Sequence, residues 1–166
     1  MSVDTFWKRV PADVIAGCGP KELADLVPYF SDDRYKVERD NGTLVAGVDT
    51  GALIDVLLWA GASSAAEKAA VRTFARGPAD WDEDYMVGTL GPDVVRQVSA
   101  FLSDAPLEQW MAEHRTALVD GAAKLGYHRP FDDAWAGQLL EDAQDLAALF
   151  RIAAPADETI IVMMVA

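Results

Sequence analysis

The sequence predicts a single α+β domain over residues 1–166, rich in helix, with a small, largely antiparallel sheet that takes in both the N-terminal and the C-terminal strand. Three observations carry this expectation. A helical apolar pattern from Asp132 to Ile152 meets a polar break, Ala154-Pro-Ala-Asp-Glu158, and is followed by Thr159-Ile-Ile-Val-Met-Met-Val165, an apolar run that reads as a strand buried on both faces. Val3, Thr5 and Trp7 alternate with polar neighbours, so residues 2–10 read as a half-buried strand. Asn41-Gly42, between Arg34–Arg39 and Thr43–Val48, is the signal of a β-hairpin.

The remaining elements follow in order. Pro11 starts a short helix that Gly17 ends, and Pro20 stands at the first helical position of another, with Leu23, Leu26 and Val27 on one face. Asp49 is placed to cap a helix running to about Ala60, whose Leu53, Ile54, Leu57 and Leu58 mark a core element. A helix over Ser64–Arg76 comes next, then an irregular acidic stretch from Gly77 to Tyr85 and a short strand at Tyr85–Leu90. Gly91-Pro92 restarts a helix that buries Val94, Val95, Val98, Phe101 and Leu102. From Pro106 a further helix carries Leu107, Trp110, Met111, His114, Leu118 and Leu125 at helical spacing until Gly126 stops it. On the last helix Trp135, Leu139, Ala143, Leu146, Leu149 and Phe150 face inward, while Asp133, Glu141, Asp142 and Asp145 face out.

Composition excludes several classes of function. With 51% hydrophobic and 25% charged residues, the chain can bury roughly 70% of its unfolded surface and needs neither cofactor nor disulfide to fold. Its longest apolar stretches, Ala52–Ala62, broken by Asp55, and Ile160–Ala166, fall short of the ~20 residues of a bilayer-spanning helix. The N-terminal residues carry an acid where a signal peptide is basic, so a cytoplasmic protein is expected. Cys18, the single cysteine, has no second thiol for a disulfide or for zinc. A net charge of -13, spread along the chain, argues against nucleic acid and anionic membranes and leaves room for a basic partner. Abundant alanine and an arginine excess over lysine of nine to five suggest a GC-rich bacterial genome.

Three groups of residues are candidates for a site. In Tyr127-His-Arg-Pro-Phe-Asp-Asp133, His128, Arg129, Asp132 and Asp133 gather beside Tyr127 at a helix N-terminus and could supply a general acid or base. The plainer reading has Asp132 or Asp133 capping the helix, Arg129 paired with an acid and His128 solvated. His114, on an apolar stripe, is either a buried base or a core histidine. In Asp80-Trp-Asp-Glu-Asp84 the acids alternate as in a calcium loop, but Tyr85 stands where the sharp turn requires glycine and Gly91 where the bidentate acid belongs. A specific calcium site is therefore not expected there, the alternative being a loosely held divalent ion. The plainer reading is a solvated loop with Trp81 tucked onto the body; with Trp81 exposed instead, Trp81, Asp82 and Asp84 are candidates for binding a cationic or basic partner.

The order of segments resembles the YfbM-like family, a bacterial domain of unknown function. The matching places are Thr5-Phe6-Trp7, Asp49-Thr-Gly-Ala-Leu-Ile-Asp55, Leu90-Gly-Pro-Asp-Val-Val95, Gly126-Tyr127, Gln138-Leu-Leu-Glu141 and the terminal Ile160-Ile-Val-Met-Met-Val165. The resemblance implies an α+β fold and no particular reaction. Two departures stand out: where relatives place a tryptophan and histidines in the helix after Asp49, this chain has Ala52, Leu53 and Leu57, and His128-Arg129 separates Tyr127 from Pro130. Two functions are consistent with these residues. The first is an interaction module of accessory or immunity type with an exposed patch. The second is a small-molecule-binding protein or cofactor-independent enzyme with a histidine or carboxylate in a pocket near Tyr127–Asp133.

Overall fold

The computed structural model describes residues 3–166, so Ser2 of the expected first strand lies outside the described residues. Strands β1 (Asp4–Val10), β2 (Leu44–Gly47), β3 (Val87–Leu90) and β4 (Thr159–Val165) form one antiparallel sheet in the order β2-β1-β4-β3. The C-terminal strand is therefore interior to the sheet, with Trp7 opposite Val162 on one side and Met163 opposite Val87 on the other. Its apolar run follows from burial on both faces. Ile160 and Val162 join Trp7, Val45 and Leu90 in one core, while Ile161 and Met163 join Phe6, Val10, Leu44 and Val87 in a second.

Helices α2 (Pro20–Leu26) and α3 (Asp33–Asp40), reached through the short α1 (Ala12–Ile15), lie over the second face. The larger first face carries α4 (Gly51–Gly61), α5 (Ala65–Arg76), α6 (Pro92–Asp104), α7 (Leu107–Glu113), α8 (Arg115–Lys124) and α9 (Asp133–Ala153). The α5 helix opens with a capping box: the Glu67 amide donates to Ser64 Oγ at 3.1 Å, and the Ser64 amide donates to Glu67 Oε1 at 3.3 Å.

Four expectations need correction. Residues Arg34–Arg39 are helical rather than the first arm of a hairpin. Asp32 caps that helix by accepting from the Arg34 amide at 2.9 Å, and Asn41-Gly42 closes it. Gly42 has φ +76; its amide donates to Arg39 O and the Thr43 amide to Glu38 O, the paired bonds of a Schellman ending. A positive-φ glycine serves a helix end as readily as a hairpin, which is why the motif misled.

The helix expected from Pro106 to Leu125 breaks at His114, whose φ of -113° and ψ of 25° interrupt it, and Leu125 is exposed. Asp49 adopts φ 58° just outside α4 and leaves the cap position to Thr50. Asp142 does not face solvent: it is 5% exposed, accepts from Thr50 Oγ1 at 2.5 Å and Gln138 Nε2 at 2.7 Å, and so ties α9 to the start of α4.

Candidate functional site

A cavity of about 440 Å³ opens between the sheet and the first turns of α4. Thr5 and Trp7 of β1, Val162 and Met164 of β4, and Leu90 at the end of β3 form its floor. Gly51, Ala52 and Asp55 of α4 form one wall, and Phe74 and Arg76 at the end of α5 form another. Helix and strand approach closely here because residue 51 is glycine: a Cβ there would lie 2.5 Å from Thr5 Oγ1. The Trp7 indole stacks on Phe74 with centroids 6.4 Å apart, so the wall and floor share an aromatic surface.

The stretch after α5 completes the enclosure. Gly77, at φ +71, turns the chain away from the helix, and Pro78, Trp81 and Met86 line the cavity. The acids of this loop hold its own backbone in place. Asp80 accepts from the Thr89 amide and hydroxyl, both at 2.7 Å, and Asp82 accepts from the Asp84 and Tyr85 amides at 3.0 and 2.9 Å. The Asp82 backbone also pairs with Val87. Trp81 is thereby packed half-buried against the larger core with its side chain on the cavity, while Asp84 stays exposed.

Asp55 is the chemical centre of this space. Its side chain opens on the cavity, yet protein surrounds it closely enough that burial pushes its carboxyl up to about 7. No hydrogen bond or ion pair from another described residue reaches it. At neutral pH the carboxyl is close to half protonated, since desolvation disfavours the charged form and no described cation is close enough to offset it. Such a group, in a largely apolar cavity, marks a candidate site. A wider concavity of about 830 Å³ between α6, α7 and α9 carries its charges, Glu108 and Arg151, in exposed positions.

The residues singled out in the sequence are distributed differently. Among Trp81, Asp82 and Asp84, only Trp81 lines the cavity. The Tyr127–Asp133 turn packs elsewhere as an aromatic clamp on the first turn of α9. Trp135 meets Tyr127 edge-on at 5.1 Å and Phe131 at 5.3 Å, and the Arg129 guanidinium sits 4.0 Å from its ring centre. The Trp135 indole N–H donates to the Asp49 carbonyl at 3.2 Å, which locks this turn to the chain entering α4. Asp132 caps α9, accepting from the Trp135 amide at 2.8 Å, and Asp133 pairs with Arg115 at 3.1 Å. Partial burial and the nearby Asp49 and Asp4 charges push the Tyr127 phenol up. His128 is exposed and His114 half-buried, and neither lines the cavity.

Asp55 itself was visible as the one acid interrupting the apolar run Ala52–Ala62. An ionisable residue on an otherwise buried helix was the signal that could have found the site.

What the geometry defines is a small α+β protein with an aromatic cavity in which the Asp55 carboxyl has no partner among the described residues. No family model, curated protein or solved structure matches this chain. Among the described residues no helix is long and apolar enough to cross a membrane, and no three His, Cys, Asp or Glu side chains cluster to hold a metal ion.

Proposed function

We propose that this chain is a small-molecule-binding protein of the bacterial cytoplasm whose ligand occupies the cavity beside Asp55. The observation that carries the reading is a carboxyl with no partner among the described residues, in a cavity also lined by Trp7, Phe74 and Trp81. A cavity so lined loses dispersion contacts and leaves the carboxyl to water alone, and a ligand with an apolar body and one donor restores the contacts and replaces that water. The same carboxyl, poised near neutral pH, has the acid–base chemistry of a small cofactor-independent enzyme. Kinship with the YfbM-like proteins belongs to the same proposal and rests on the order of segments.

Native mass spectrometry of the gently purified protein tests the reading, with Ala52→Trp filling the cavity as the control. A small mass retained by the parent and lost in the variant is the expected result. A parent that carries no such mass, and whose melting point responds to no small apolar or amphiphilic additive, would overturn it.

A second reading, an interaction module for a basic protein, is supported by Tyr29 and Phe30. They are 41% and 40% exposed, form a tilted ring pair with centroids 4.8 Å apart and belong to a chain of net charge -13. A basic protein that co-purifies and is released by Phe30→Ser, with the cavity empty, would put this reading first.

A further inference from the structure

The charges that line the cavity are few and unequal. Arg76 stands at the exposed C-terminal end of α5, where water screens it, whereas Asp55 faces the interior with no cation among its described neighbours. The same cavity is lined by Trp7, Trp81 and Phe74. Aromatic faces attract positive charge, and a carboxylate in low dielectric attracts it more strongly, so both features select the same ligand charge. An anion would meet Asp55 repulsively, and a neutral alcohol could bond the carboxyl but would leave the charge of its ionised form uncompensated.

We infer that the cavity recognises a singly charged cationic amphiphile, an alkyl or aryl amine, with its ammonium on Asp55 and its apolar body between Trp7, Phe74 and Trp81. This rests on the small-molecule reading of the same cavity. The ammonium supplies a counter-charge that no described residue provides and donates hydrogen bonds to a carboxylate that receives none from the described residues. The space of about 440 Å³ admits a compact organic amine and falls at the small end of ligand sites. The chain's own charge of -13 favours approach of cations.

A charge-matched series separates the inference from the reading beneath it. Hexylamine, hexan-1-ol and hexanoate share one apolar body, and calorimetric titration of the full chain at about pH 8, where the amine is protonated and Asp55 ionised, compares them. The expected order is amine first, at least about tenfold tighter than alcohol, with hexanoate weakest. In Asp55→Asn, the amine should lose about that tenfold advantage while the alcohol binds as before. Alcohol or hexanoate binding as tightly as the amine would overturn the cationic inference and leave the small-molecule reading standing. If none of the three binds and no tryptophan fluorescence changes, both fail.

Discussion

Asp55 couples the fold to pH in the direction opposite to a salt-bridged acid. An unperturbed aspartate titrates near ~3.9, and this one, pushed up to about 7, keeps its proton longer in the folded chain than in the unfolded one. The native state binds more protons between those values, so stability falls as pH rises through the window and the loss is complete above it. The magnitude is at most about 4 kcal/mol, reduced by water entering the cavity. Asp55→Asn, which removes the ionisation and keeps the shape, should match the parent at about pH 4 and exceed it by on the order of 1–3 kcal/mol at about pH 8.5. Urea melts at both pH values check this; an equal difference at the two would sink the argument. The site was only partly legible because single residues announce chemistry by type, not by surroundings. Trp81 was singled out for its acidic neighbours, yet Asp80 and Asp82 are engaged in holding the loop backbone, and the indole meets the cavity instead. His128 drew notice for its imidazole, and the turn around it packs on Trp135.

Between elements, close approach decides where change is tolerated. The α4 helix ends at Gly61 against the Trp110 ring of α7, and a Cβ there would stand 2.0 Å from the nearest ring atom. Gly61→Ala should therefore cost more than a helix-propensity scale suggests, on the order of 2–3 kcal/mol, although alanine is the better helix former. A denaturant midpoint equal to or above the parent's would show that the helices move apart freely. Helices with strong amphipathic patterns and clear start signals, α5 with Ser64 as its cap and α6 with Pro92 in its first turn above all, were legible from the sequence. The failures came where one local signal fits two structures. Asn41-Gly42 fits a hairpin and a helix end, and only the Asp32 cap, together with the charged run that follows it, favours the second. The break at His114 had no glycine or proline to announce it. The inward turn of Asp142 depends on Thr50, distant in sequence, supplying a hydroxyl.

At the scale of the molecule, β4 joins what would otherwise be two fragments. It supplies the partners of both β1 and β3 and a row of side chains to each core. Removing residues 160–165 should abolish cooperative folding, because several buried side chains at ~1.5–3 kcal/mol each exceed the ~5–15 kcal/mol stability of a domain. A truncated chain that still melts in a single sharp calorimetric transition would contradict this. The apolar run of β4 was legible because two-sided burial leaves no polar positions. The strand order was not, since it is written in pairings between distant segments. That order also bears on synthesis. As the chain leaves the ribosome, β1 emerges early and can pair only with β2, while β3 follows without a strand beside it. Their common neighbour is translated after both. Until it arrives, the apolar faces of Phe6, Trp7, Val87 and Leu90 lack the strand that joins them, and the nascent chain offers open strand edges to any neighbour. Chaperones that hold apolar segments would meet these faces until β4 has been made and can close the sheet.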